Sequence, residues 1–89
     1  MKYFDWDPKK NKQLTQTRGV SFEEILIVIH EGGLLDIVEH PNERKYPNQK
    51  LFVVCLQNYA YIVPFIVDEE KIFLKTIIPS RKATKKYLK

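Results

Sequence analysis

At 89 residues, 44% hydrophobic and 12% aromatic, the chain is long enough for one compact core and too short for two, so residues 1–89 are expected to form a single domain. The lone Cys55 excludes a disulfide within the chain. It lies in the apolar run Leu51–Leu56, where a buried thiol is expected, and with no run long enough for a membrane span or signal peptide, a soluble cytoplasmic protein is expected. The formal charge of +4 is uneven: Arg81, Lys82, Lys85, Lys86 and Lys89 place +5 in the last nine residues and leave −1 for the rest, which suits a polyanionic or acidic partner, a solvated basic tail being the competing reading.

Residues 2–6 alternate with aromatics at Phe4 and Trp6, as a short strand would. Asp7 can then cap a helix that starts at Pro8 and stops at Gly19; apart from Leu14 it is polar and contributes little core. Ser21-Phe22-Glu23-Glu24 is a capping box, Val20 and Ile25 have the spacing of a hydrophobic staple, and Phe22, Ile25, Leu26 and Ile29 recur at helical spacing until Gly32-Gly33. This second helix is core structure, and His30 at its end is explained by the helix dipole.

Leu34–Val38, Leu51–Leu56, Tyr59–Val67 and Ile72–Ile78 read as four strands, separated by polar breaks that include Gln57-Asn58 and Asp68–Lys71. They predict an antiparallel meander with the helices on one side, and Pro64, which cannot donate to a ladder, predicts an edge position or a bulge. Ser80 can cap a short C-terminal helix with Ala83 and Tyr87 on one face. The class is therefore α+β: a short N-terminal strand, two helices, an antiparallel sheet of about four strands and a short C-terminal helix.

Three stretches carry a resemblance: Phe4-Asp5-Trp6-Asp7-Pro8, then Gly19-Val20-Ser21-Phe22-Glu23-Glu24, then Ile77-Ile78 with Ser80-Arg81-Lys82-Ala83-Thr84. In that order and at those separations the chain resembles the BrnT toxin family of type II toxin–antitoxin systems. The resemblance implies a RelE-like fold and metal-independent endoribonuclease activity with no cofactor. It also implies a hetero-oligomer with a cognate ribbon-helix-helix-like antitoxin, through which alone operator DNA would be contacted. The chain departs from the family pattern at Arg18, where a His is frequent, and at Thr76, where a basic residue is usual. The segment 39–47 is also longer than in the family, so the family's His and Arg map onto His40 and onto Arg44 or Lys50.

RNA cleavage without a metal needs a proton acceptor for the 2′-hydroxyl, positive charge on the phosphoryl oxygens and help for the leaving oxygen. Arg81 is the first candidate. It matches the third motif, and with Lys82 it opposes the helix dipole at about 0.3–1 kcal/mol each, a placement that suits an anion. His40 is the candidate for proton transfer because histidine titrates near neutrality. Lys75 alternates with Thr76, so only one of the two faces the concave side of the sheet; if it is Lys75, it can flank a phosphate together with Arg81. Arg44 completes the catalytic candidates. Lys50, Lys82, Lys85 and Lys86 are candidates for holding RNA, with Tyr61 and Tyr87 for stacking on a base. One cysteine and two distant histidines form no metal constellation. The alternative function is a non-catalytic module that uses the same basic end for an acidic antitoxin segment or for uncut RNA.

Overall fold

The computed structural model describes residues 2–88; Lys89, counted in the C-terminal charge, lies outside them. The elements are β1 (Tyr3–Trp6), α1 (Pro8–Arg18), α2 (Phe22–His30), β2 (Leu34–Glu39), β3 (Gln49–Leu56), β4 (Tyr59–Val67), β5 (Lys71–Leu74), β6 (Ile78–Pro79) and α3 (Arg81–Tyr87). Three helices pack on one mixed six-stranded sheet, which is the α+β class expected. Among the described residues no helix is long and apolar enough to cross a membrane.

Local chemistry sets the helix ends. Asp7 Oδ1 accepts from Lys9 N at 3.0 Å at the start of α1, and Gly19 closes it with φ 69°, a left-handed conformation that glycine adopts without strain. At α2 both halves of the capping box form, between Ser21 and Glu24. Asn11 adds a link across the helix pair: its side chain accepts from Phe22 N at 2.8 Å and donates to Glu23 Oε1 at 2.7 Å. The polar face of α1 thus satisfies an amide that every helix start leaves orphaned. Gly33 then lets the chain turn tightly, since a Cβ there would meet Val28 O at 2.9 Å.

The sheet and its helices correct four expectations. The sheet has six strands rather than about four, and it is not wholly antiparallel: the path runs β1-β5-β4-β3-β2, with β1 parallel to β5 and β6 paired to β4. The run expected as one strand over Ile72–Ile78 is split in two. Between Phe65↔Leu74 and Ile62↔Ile78, two residues of β4 (Val63, Pro64) face three on the other side (Lys75, Thr76, Ile77). Pro64 is the cause. β4 is an interior strand, and because Lys75 N donates to Pro64 O at 2.8 Å, Pro64's own nitrogen also faces β5, where it has no hydrogen to give. The ladder breaks there and an extra residue is accommodated. β3 also starts earlier than the apolar run, at Gln49.

The fourth correction concerns the helices, which do not share one side. Leu14, Val20, Phe22 and Ile25 from the first two helices and their junction enclose Phe52, Val54, Leu56, Val63, Phe65, Leu74 and Ile77, with Phe52 and Phe65 stacked at 3.9 Å. A second, smaller core lies on the opposite face, where Ala83, Tyr87 and Leu88 meet Val53, Ala60, Leu35, Val38 and Ile62. Strand alternation explains both faces, since Phe52 and Val54 point one way and Leu51 and Val53 the other. Cys55, on the α3 face, is half-buried rather than enclosed. At the two open edges, Asp5 Oδ1 accepts from Trp6 N at 2.9 Å and Asp36 Oδ1 from Ile37 N at 2.8 Å.

Candidate nucleic-acid interface

The face of the sheet that carries α3 holds most of the candidate residues. α3 is fixed to it at both ends. Ser80 N donates to Ala60 O at 2.9 Å, Thr84 Oγ1 accepts from Ala60 N at 2.9 Å and donates to Ser80 O at 2.8 Å, and Tyr87 Oη donates to Asp36 Oδ2 at 2.6 Å. Ala60 is fully buried. Thr84→Val keeps the shape but removes the acceptor, leaving that amide unsatisfied at a cost of about 1–3 kcal/mol. Thermal unfolding checks this, and an unchanged midpoint would show that Ala60 N–H finds another partner.

Beside α3 runs a groove of about 420 Å³ with an apolar floor of Val38, Leu51, Val53 and Ile62. Lys82, Lys86 and Tyr87 form its α3 wall, and the end of β2 with Pro41 forms the other. Cross-strand pairing extends the floor as a row, Val38↔Leu51↔Pro64, and Lys75 bonds to Pro64 on the far side. Lys71 and Lys75 both lie over the Phe73 ring, at 5.6 and 5.7 Å, and Leu74 between them is in the opposite core, so Lys75 projects on the α3 face. Strands are about 4.8 Å apart, which puts Lys75 one strand beyond Pro64.

The expected residues therefore separate. Lys82, Lys86 and Tyr87 line the groove, Lys75 shares its face, and the His40 loop reaches it through Pro41. Arg81 and Lys85, one turn apart on α3, are exposed outside the lining. Arg44 is exposed in the loop between β2 and β3. Lys50 is not brought in: it sits in the register of Phe65, on the α1–α2 side, where it pairs with Glu39 at 3.9 Å while both stay well exposed. Tyr61 is not brought in either. It packs against the α1–α2 core and meets Tyr59 edge-on at 5.7 Å.

His40 is held in place. Its ring lies 4.4 Å from that of Tyr46, and its Nδ1 accepts from Asn42 N at 3.0 Å, so in the neutral ring the hydrogen is on Nε2. Arg18 ties the end of α1 to the carbonyl of Ile77, inside the split of the last run. Among the described residues no group of three His, Cys, Asp or Glu gathers in a way that could hold a metal.

The Tyr87 hydroxyl beside Asp36 holds that carboxyl below the usual carboxylate range, aided by the Ile37 amide and by Lys86. The same bond, with its neighbouring negative charge, pushes the Tyr87 phenol up. The docking of α3 is linked to pH through both groups. Asp36 contributes stability that is present above its unfolded value and lost as pH falls through the lower folded value; Tyr87's contribution is present below its unfolded value and lost as pH rises through the higher folded one. In Tyr87→Phe the Asp36 titration should move upward, as read by the carboxylate's NMR shift against pH. An unmoved titration would mean that the hydroxyl does not set it.

Sequence reasoning missed Phe73, Lys71 and the Asp36 anchor. The i, i+2 spacing of Lys71, Phe73 and Lys75 on one strand face was the available signal for the first two. No family model, curated protein or solved structure matches the chain.

Proposed function

We propose that the chain is a metal-independent endoribonuclease, the toxin of a type II toxin–antitoxin pair of the BrnT kind with a RelE-like arrangement of its α+β elements. The observation that carries this reading is that Lys82, Lys86 and Pro41 of the His40 loop line one groove with an apolar floor, with Lys75 on the same sheet face. The three ordered motifs add to it. Cations supply the sequence-independent part of RNA affinity, and the floor accommodates an unpaired base.

In the proposed reaction the 2′-hydroxyl passes its proton to water as its oxygen attacks the adjacent phosphorus, the bond from phosphorus to the 5′-oxygen breaks, and that oxygen takes up a proton from water. The products are a 2′,3′-cyclic phosphate and a 5′-hydroxyl. Arg81 and Lys75 offset charge on the phosphoryl oxygens. His40, with Nδ1 engaged by Asn42, has its Nε2 hydrogen free to donate toward the phosphoryl or leaving oxygen. The antitoxin, a ribbon-helix-helix-like DNA-binding protein, forms a hetero-oligomer with the chain and brings it to operator DNA. The test is cleavage of RNA by the purified chain in excess EDTA, with and without the antitoxin. Cleavage that survives EDTA and stops when antitoxin is added supports the reading. Intact RNA with retained partner binding overturns the nuclease and leaves a non-catalytic binding module.

A further inference from the structure

We propose that Phe73 is a stacking platform for one unpaired base of single-stranded RNA, next to the groove and outside the set of residues that the motifs point to. This rests on the RNA-binding part of the reading above and adds a second nucleotide contact to it.

Phe73 lies on the α3 face of β5, is half-buried, and belongs to neither core. Its strand neighbours on that face are Asp5 and Ile66, so the ring is flanked by an apolar side chain on β4 and by a carboxylate on β1. Two ammonium groups attend it. Lys71 is held by Asp5 at 3.4 Å, whereas Lys75 is exposed and, among the described residues, has no carboxylate partner. An aromatic ring with a free cation beside it is the arrangement that binds a base by its π-face and the attached phosphate by charge. Lys75 leaves the ring for the phosphate when the base arrives.

Charge also gives the track a direction. From α3 it runs through Lys86 and Lys82 along the groove to Pro64 and Lys75, and then to Phe73 in the next row. Beyond Phe73 the turn carries Asp68, Glu69 and Glu70, which line a hollow with Tyr3 and Lys71 and repel a polyanion. The RNA therefore ends its contact at Phe73 or turns away from the surface there. A duplex cannot use the platform, because its bases are stacked on one another.

The test is fluorescence anisotropy with a labelled, unstructured RNA carrying 2′-O-methyl riboses, which cannot be cut by the 2′-hydroxyl route, in EDTA. The same strand is made with an abasic nucleotide at each position in turn. For the wild-type chain one abasic position should weaken binding about tenfold. Phe73→Leu, which keeps an apolar side chain, should weaken the intact strand by the same factor and erase the abasic penalty; Phe73→Trp should restore both. Unchanged affinity in Phe73→Leu, a persisting abasic penalty, or a preference for duplex overturns the platform while leaving the nuclease reading intact. The expected pattern in a chain that cuts no RNA supports the platform and overturns the nuclease. A wild-type chain that binds no RNA overturns both.

Discussion

Arg81→Ala should lower RNA cleavage by about 100-fold or more and abolish growth arrest on expression, with the fold unchanged. Arg81 opens α3, is exposed, and among the described residues its side chain makes no hydrogen bond or ion pair, so its removal should move stability by no more than about 0.5 kcal/mol. Its charge even opposes the dipole of a helix only seven residues long, with Lys82 beside it. Under the proposed function that placement is explained by an anion held there. Arg81→Lys keeps the charge without the planar fork and should retain part of the activity. Cleavage rates measured beside a circular-dichroism melt separate the two roles, and an unchanged rate in Arg81→Ala removes this residue from the mechanism.

The largest loss of stability should come from Phe22→Ala, at about 3–5 kcal/mol. Phe22 is fully buried, its ring stacks on Trp6 at 5.6 Å, and its amide is taken by Asn11. It is therefore the point where the first strand, both N-terminal helices and the main core meet. A domain of this size has a total stability of about 5–15 kcal/mol, so this one cavity removes a large share of it. Urea unfolding should show a much lower midpoint with an unchanged slope. A loss below about 1 kcal/mol would mean that the core closes over the site.

Elements specified by neighbours in the chain were legible. Asp7, Gly19, Ser21 and Glu24 fix the first two helices by contacts within four residues, and β4 begins and ends where its apolar run does. What depends on distant pairing was not. Nothing local says that Tyr3–Trp6 lies parallel to Lys71–Leu74, or that α3 crosses to the face opposite α1 and α2. The split at Lys75–Ile77 was half legible: Pro64 announces an irregularity, but its effect falls on the partner strand rather than its own. The same distinction holds at the site. Lys82, Lys86 and Tyr87 face the groove because they lie on one short helix, whereas the face of Lys75 follows only once Leu74 is known to be in the core. Tyr61 shares parity with Val63 and Phe65, both buried, and that period of two was available to place it with the core.

The aspartates on the two outer strands limit how this molecule can associate. On β1 the Tyr3 amide bonds inward to Glu70, so the Trp6 amide points outward; on β2 the His40 amide bonds inward to Gln49, so that of Ile37 points outward. Asp5 and Asp36 each fold back on these outward amides, and each brings a negative charge to a rim that an added strand would have to approach. Strand addition, whether by a second copy or by an extended peptide, meets an occupied donor and a carboxylate at both ends of the sheet. A protein partner then meets helices and faces more readily than these two strand edges.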